Sequence, residues 1–297
     1  MSRMVQIDEW YLQDLADAIR MKTNSPDKMR LADMAPAIDN ITVGGGGSGE
    51  NDAVRQSYVN STLYYDGNYT LTIPKEAEQV RQYAHYSNSN IEAVVLENHS
   101  APNFKHINGY AFGYCSNLKS FEWPENITVI SQMAFQYCSN LEETKLPDTL
   151  TTIEQSAFRN CSKLALTEWP ASVARIENSV MRDCRNLQIT SLPEGVTYIG
   201  NYAFSTSCDT SITRDIVFVI PSTVQQINQQ AFSYQNFKKV RFMGTPLQSG
   251  VASTAFSYSD VTDIYVPWTH SEVVMNAPWG ATNATIHYNT SPDEVIE

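Results

Sequence analysis

INGYAFGYCSNLKSFEWPENITVI (Ile107–Ile130) is followed directly by ISQMAFQYCSNLEETKLPDTLTTI (Ile130–Ile153). Read one above the other, the two segments keep Ala, Phe, Cys, Leu, Pro and Ile in step. The beat continues in both directions. Cysteines stand at Cys115, Cys138, Cys161, Cys184 and Cys208, at intervals of 23, 23, 23 and 24 residues. Phe112, Phe135, Phe158 and Phe204 share the period, with Met181 in the missing slot. Pro124, Pro147, Pro170 and Pro193 share it too, as do Ile107, Ile130, Ile153, Ile176 and Ile199. A fixed period in the low twenties carried by several residue types predicts a solenoid. In such a fold the repeated residues build the core and the variable ones form the binding surface.

The repeat unit IxxxAFxxCxxLxxxxxPxxxxxI predicts its own geometry. Leu118, Phe121 and Trp123 have strand spacing and should point inward. Their equivalents are Leu141, Thr144 and Leu146, then Leu164, Thr167 and Trp169, then Leu187, Thr190 and Leu192. Alternate strand positions face opposite sides, so Glu122, Lys145, Glu168, Ser191, Val219, Arg241 and Tyr265 should form one outward column. The Ala-Phe pair is expected in a short helical or turn segment across the coil, and Pro ends each strand where its missing N–H does no harm. The fold class expected is therefore an α/β repeat solenoid with parallel strands and short helical or turn segments. Later units stretch: Asp209 to Asp215 inserts residues before Pro221, and Ala231-Phe232 and Ala255-Phe256 continue without cysteines.

Upstream, Ile7, Tyr11, Leu15 and Ile19 recur every four residues, and Leu31, Met34, Ile38 and Ile41 form a second apolar set. Residues 1–43 read as a small helical hairpin, too short to be stable without a partner or self-association. Gly44-Gly45-Gly46-Gly47-Ser48-Gly49 opens a flexible linker over 44–57. The solenoid is then expected over 58–268, and a C-terminal cap and tail over 269–297. Trp268 and Trp279 are assigned to capping the last coil; Trp123 and Trp169 sit in core slots.

The 297-residue chain carries a net charge of −12, which disfavours nonspecific binding to nucleic acid or anionic membrane. No window reaches the apolar length of a membrane helix, and the start of the sequence has no stretch resembling a signal peptide. The cysteine count is odd and each cysteine fills one repeat slot, so they read as small buried apolar residues, not as a disulfide framework. No C-x-x-C spacing suggests zinc. The five histidines (His85, His99, His106, His270, His287) fall in no repeated slot. Glu122 and Glu168 should lie about 10 Å apart across two coils, too far for a glycosidase pair. No GxxxxGK[ST], GxSxG or HExxH pattern is present. The expectation is no enzyme, no cofactor and no metal.

The recurrent AFxxCxxL motif, as in Ala111 to Leu118 and Ala134 to Leu141, resembles the BspA-type leucine-rich repeats of bacterial surface and adhesion proteins. The resemblance covers about Tyr69 to Pro267 and implies a right-handed solenoid used for recognition. The ends are similar to something narrower. Tyr11 to Arg20, Lys22-Thr23 and Met34 to Ile38, with Tyr265 to Trp268 and Ala277 to Ile286, resemble modules of phage and prophage tail-associated proteins. That resemblance implies a virion tail protein, assembled in the host cytoplasm, that contacts a host-surface glycan or protein through its solenoid. The hairpin would then bind other tail proteins or form a homo-oligomer. The alternatives are a bacterial surface or secreted adhesin and, further off, a tail enzyme that degrades cell envelope. The candidate recognition surface comprises Glu122, Lys145, Glu168, Ser191, Arg241 and Tyr265 of the outward column, with Tyr114 and Tyr137 beside the cysteines.

Overall fold

The computed structural model describes residues 70–206, 214–246, 250–270 and 276–291. The hairpin expected over 1–43, the linker, residues 58–69 and Cys208 lie outside them. In chain order the strands are β1 (Thr70–Ile73), β2 (Gln79–Val80), β3 (Ala93–Leu96), β4 (His106–Ile107), β5 (Ser120–Phe121), β6 (Val129–Ile130) and β7 (Thr152–Ile153). They continue with β8 (Arg175–Ile176), β9 (Tyr198–Ile199), β10 (Arg214–Ile220), β11 (Gln226–Ile227), β12 (Phe237–Phe242), β13 (Asp263–Tyr265) and β14 (Thr285–His287).

Every pairing among them is parallel, and each strand pairs with its counterpart in another coil. The orders are β1-β3-β5, β2-β4-β6-β7, β8-β9-β11 and β10-β12-β13-β14. Register follows the repeat: Ile107 pairs with Ile130, Ile130 with Ile153, and Ile176 with Ile199. A parallel arrangement of this kind needs a full coil between partners, which a period in the low twenties supplies. The described residues thus form a parallel β-solenoid.

Of the short helical or turn segments expected, the described residues hold turns. Among the described residues the only helix is a 3-10 turn at Glu97–His99. The Ala-Phe segment is a repeated turn with alternating hydrogen bonding. Tyr110, Phe112 and Tyr114 donate their N–H to Gln132, Ala134 and Gln136 of the next coil. The residues between them, Ala111, Gly113 and Cys115, donate back within their own coil. An α-helix would spend every N–H inside its own segment; this turn sends alternate ones onward and so ties coil to coil. The alternation requires two left-handed residues per coil. They are Tyr110 and Tyr114 (φ 58 and 63), Met133 and Tyr137 (56 and 62), Ser156 and Asn160 (56 and 64), and Ser179 and Asp183 (56 and 62). Non-glycine residues adopt this conformation at a cost of roughly 1–2 kcal/mol each, which the intercoil bonds offset.

The prolines open the next corner. Ile127, Leu150, Val173 and Val196 donate to the carbonyls of Pro124, Pro147, Pro170 and Pro193, each closing a β-turn. Inside, the phenylalanines form a column. Phe112 and Phe135 stack at 5.4 Å, Phe135 and Phe158 at 5.3 Å, Phe204 and Phe232 at 5.4 Å, and Phe232 and Phe256 at 5.1 Å. His85 takes the phenylalanine slot of an earlier coil and stacks on Phe112. Cys115, Cys138, Cys161 and Cys184 are buried free thiols. Each donates to the carbonyl three residues before the preceding coil's equivalent slot: His85, Phe112, Phe135 and Phe158, at 3.0–3.1 Å. Burial pushes these thiols up, Cys115 to about 12. They behave as small dry core residues with one donor.

One part of the inward pattern is corrected. Phe121 is buried as expected, but its equivalents Thr144, Thr167 and Thr190 are exposed. Leu166 and Ile189, one residue earlier in their coils, take the interior instead. A polar hydroxyl loses the competition for a dry slot to an aliphatic neighbour, and a one-residue slip reverses which side chain points in. A carboxylate also interrupts the sheet here. Glu143 accepts the Phe121 N–H at 2.7 Å, taking the donor that would otherwise bond to a carbonyl of the next strand. Burial raises the Glu143 pKa, against the opposing hydrogen bond from Phe121.

Candidate functional site

Two surfaces arise from this frame. The first is the outward column on the long-strand side. None of its members is buried: Glu122, Val219, Arg241 and Tyr265 are half-exposed, and Lys145, Glu168 and Ser191 are exposed. The structure brings its later part together. Ser191 bridges Val219, Val219 pairs with Arg241, Arg241 with Tyr265, and Tyr265 with His287. The Tyr265 and His287 rings stack at 4.6 Å, and Arg241 donates to the Ser291 carbonyl at 3.1 Å.

Ion pairs run along this side. Lys145 lies 3.0 Å from Glu168 and 3.2 Å from Asp148. Glu122 accepts the Leu96 N–H and meets His99 Nδ1 at 2.8 Å. Asp263 meets His287 Nε2 at 2.7 Å. The hydrogen bond from His287 holds the Asp263 carboxyl below its usual range. The Glu122 carboxyl is also held low; burial opposes this, but the Leu96 N–H and His99 outweigh it. These are exposed or partly exposed pairs, all but Lys145–Asp148 linking coil to coil, each worth at most about 1 kcal/mol. Among the described residues no group of three or more His, Cys, Asp or Glu could hold a metal ion.

The second surface is the outer side of the Ala-Phe turns. Tyr114 and Tyr137 lie here and stack at 4.6 Å with an interplanar angle of 21°. Sequence reasoning singled out these two and missed the rest of the group. Tyr83 stacks on Tyr110 at 4.8 Å. Tyr86 lies between the two stacks, tilted 81° to Tyr83, 70° to Tyr110 and 65° to Tyr114. Further along, Tyr234 stacks on Tyr258 at 5.0 Å. The exposed fractions are high for tyrosine: 49% at Tyr83, 42% at Tyr86, 40% at Tyr114, 38% at Tyr234 and 68% at Tyr258. Burial and then the three neighbouring phenols raise the Tyr86 pKa, so its hydroxyl stays protonated. The signal was available: Tyr83, Tyr110, Tyr114, Tyr137, Tyr234 and Tyr258 all occupy left-handed slots of the turn. Asn, Asp or Gly fill such slots at least cost, and repeated tyrosine there runs against turn chemistry.

The indoles serve the interior and the end. Trp169 is buried and donates from Nε1 to the Val173 carbonyl at 3.0 Å. Trp268 and Trp279 are buried against Phe242. Trp123 is half-buried on Phe121 and Phe135. None offers an open platform.

With this geometry in hand, comparison with known proteins gives a family. Residues 105–216 and 208–277, together more than half of the chain, match the BspA type leucine rich repeat region in six copies. The chain belongs to the BspA-type leucine-rich repeat family. No curated protein sequence matches it significantly. Among solved structures it is similar to a leucine-rich repeat protein from Bacteroides ovatus, with 16% identity over 74% of this chain and a TM-score of 0.49. The chain spans 60% of that protein's length. It is also similar to a leucine rich cell surface protein from Faecalibacterium prausnitzii, with 19% identity, coverage of 75% and 79% of the two chains, and a TM-score of 0.37. A third is the leucine rich repeat protein of T. pallidum, with 22% identity over 46% of this chain and 75% of that chain, and a TM-score of 0.37.

Proposed function

We propose that this BspA-type solenoid is a non-catalytic recognition scaffold acting at a bacterial cell surface, with its turn-side tyrosines as the contact surface. The observation that carries this is a set of exposed tyrosines held on a hydrogen-bonded framework. Tyrosine supplies large, rigid, amphipathic contact area at low entropic cost, the property that enriches it in binding surfaces. A rigid scaffold adds to this by having little order left to gain on binding. The surface location follows the adhesion context that the repeat motif itself resembles. In this reading residues 1–43 act as an anchor or self-association module and 44–57 as the tether, with the solenoid as the sensor and a cell-surface glycan or protein as its partner.

The virion-tail reading rests on the residue patterns at the two ends, and it assigns the same recognition surface to a different carrier. Fractionation separates the two. Antibody labelling of intact producing cells supports the cell-surface reading; co-sedimentation of the chain with tail particles replaces it with the virion reading. Recognition itself is tested by binding of the full chain to intact cells. The triple substitution Tyr83→Ala, Tyr86→Ala and Tyr114→Ala should abolish saturable binding while the far-UV spectrum stays unchanged. Undiminished binding by that variant would refute the assignment of this surface.

A further inference from the structure

The exposed phenols pair coil by coil. Tyr234 and Tyr258 occupy one left-handed slot of neighbouring turns (φ 59 and 61), and their rings stack at 5.0 Å with 13° between the planes. Tyr114 and Tyr137 repeat the arrangement at 4.6 Å and 21°, and Tyr83 and Tyr110, in the earlier left-handed slot, at 4.8 Å and 17°. In the two coils after Tyr137 the same slot holds Asn160 and Asp183. The stacks therefore stand on either side of the middle of the described solenoid. Tyr86 packs against the first two stacks. Tyr234 and Tyr258 form the more open pair, and Tyr258 is 68% exposed.

Rings held in this way are close to a bonding geometry. Tyr234 and Tyr258 hang from equivalent positions of neighbouring coils, and the Tyr234 N–H donates to the Ser257 carbonyl at 3.3 Å. Their near-parallel rings thus lie side by side at coil spacing. Turning both rings about χ2, a torsion with a broad profile in tyrosine, replaces face contact with edge contact and aims Cε of one ring at Cε of the other. A phenoxyl radical carries much of its spin at Cε, beside the oxygen. Thiols are the groups that reduce such a radical most readily, and Cys115, Cys138, Cys161 and Cys184 are buried in the core. They form no disulfide, so no sulfur bridge joins the described coils.

We infer that the stacked turn tyrosines are sites of oxidative cross-linking, Tyr234–Tyr258 above all, where a peroxidase with hydrogen peroxide converts a stack into a dityrosine staple between neighbouring coils. Each phenol gives one electron and its hydroxyl proton to the oxidant. The two radicals couple Cε to Cε, and each ring regains its aromaticity by passing the Cε hydrogen to the oxygen. One C–C bond forms, two C–H bonds are lost, and one hydrogen peroxide becomes two waters. The position of the pair gives the staple a purpose. Repeats contact only their neighbours, so a terminal coil is held from one side alone. Tyr258 lies in the coil that bonds directly to the Trp279 segment near the end of the described residues. A covalent link there ties that coil to the one before it.

The test treats the full chain with a haem peroxidase and hydrogen peroxide, then reads intact mass, dityrosine fluorescence and linked peptides. The expected result is a monomeric chain that has lost two hydrogens per link, with Tyr234 and Tyr258 joined in the most abundant linked peptide. The yield should hold across an about tenfold dilution, because coupling within one molecule runs at an effective concentration set by the fold. It should fall in urea, where the coils no longer align the rings. Tyr234→Phe keeps a ring in the stack but removes the phenol, so it should abolish that peptide and leave the Tyr114–Tyr137 link. The oxidised chain should unfold at higher urea than the untreated one, as a chain closed by a disulfide does, and Tyr234→Phe should reduce that gain. Links found only between chains would overturn the inference, as would linked pairs that ignore the stacks, a yield unchanged in urea, or no dityrosine at all. A linked chain with an unchanged urea midpoint would overturn the stapling role.

Discussion

Phe112 and Tyr114 are two residues apart in one turn, and each stacks on its counterpart in the next coil. Phe112–Phe135 stack at 5.4 Å and Tyr114–Tyr137 at 4.6 Å; Phe232–Phe256 stack at 5.1 Å and Tyr234–Tyr258 at 5.0 Å. All four spacings fall between 4.6 and 5.4 Å because the coil sets them, not the ring. Yet the phenylalanines are fully buried while Tyr114, Tyr234 and Tyr258 are open to solvent. Ring stacking in a solenoid is therefore no sign of burial or of binding by itself. Translation by one coil places the rings, and their side of the backbone decides whether they hold the fold or meet a partner.

The strongest challenge to this contrast is a charge placed in the dry column. Cys161→Asp should cost more than about 4 kcal/mol in urea denaturation, since the carboxylate would be buried without a partner. Phe135→Ala, in the middle of a three-ring stack, should cost about 3–5 kcal/mol. A much smaller loss in both would show that the two columns are not energetically distinct.

His85 sharpens the comparison because it puts a titratable ring in the phenylalanine slot. Burial lowers its pKa from the ordinary 6.5 to about 4. The unfolded chain therefore binds a proton between those values that the folded chain refuses, and stability falls as pH drops from 6.5 towards 4. His85→Phe should remove this loss and stabilise the protein by on the order of 3 kcal/mol at pH 4, with little change at pH 7.5. Parallel pH–stability curves for the two proteins would contradict the buried neutral imidazole.

The outer side should respond weakly. The depressed pKa of Asp263 contributes stability that is present above the ordinary aspartate value and lost as pH falls through the folded one. Asp263→Asn should flatten that acid limb by less than about 1 kcal/mol, because the pair is partly solvated. Tyr258→Ala should change unfolding free energy by no more than about 0.5 kcal/mol. A large destabilisation there would move Tyr258 from the surface group to the structural one.

The sequence exposed what the period encodes. Ile107, Phe112, Cys115 and Leu118 recur in register, so the stacking, the parallel pairing and the buried thiols could all be read from spacing. Three features were less legible. The Ala-Phe segment stayed open between helix and turn, because the intercoil half of its hydrogen bonding has no local signature. Thr167 and Thr190 kept the beat but lost the interior to Leu166 and Ile189, and Thr144 is exposed beside the half-buried Glu143, since periodicity cannot weigh a hydroxyl against its neighbour. The tyrosine cluster was half seen. Tyr114 and Tyr137 share one slot and Tyr83 and Tyr110 another, but the coil of Tyr83 departs from the regular period, and Tyr86 comes from a third slot that meets them only after folding, over a glycine.

The turn bonds have an evolutionary corollary. Phe112 donates to Ala134, Phe135 to Ala157 and Phe158 to Val180, so each rung of the turn depends only on the rung beside it. A gene that duplicates or drops one such segment would lengthen or shorten the scaffold by a single step and leave distant rungs untouched. The distance between the Tyr86 cluster and the Tyr234–Tyr258 pair is therefore an inheritable, stepwise variable, open to selection by whatever target must be spanned.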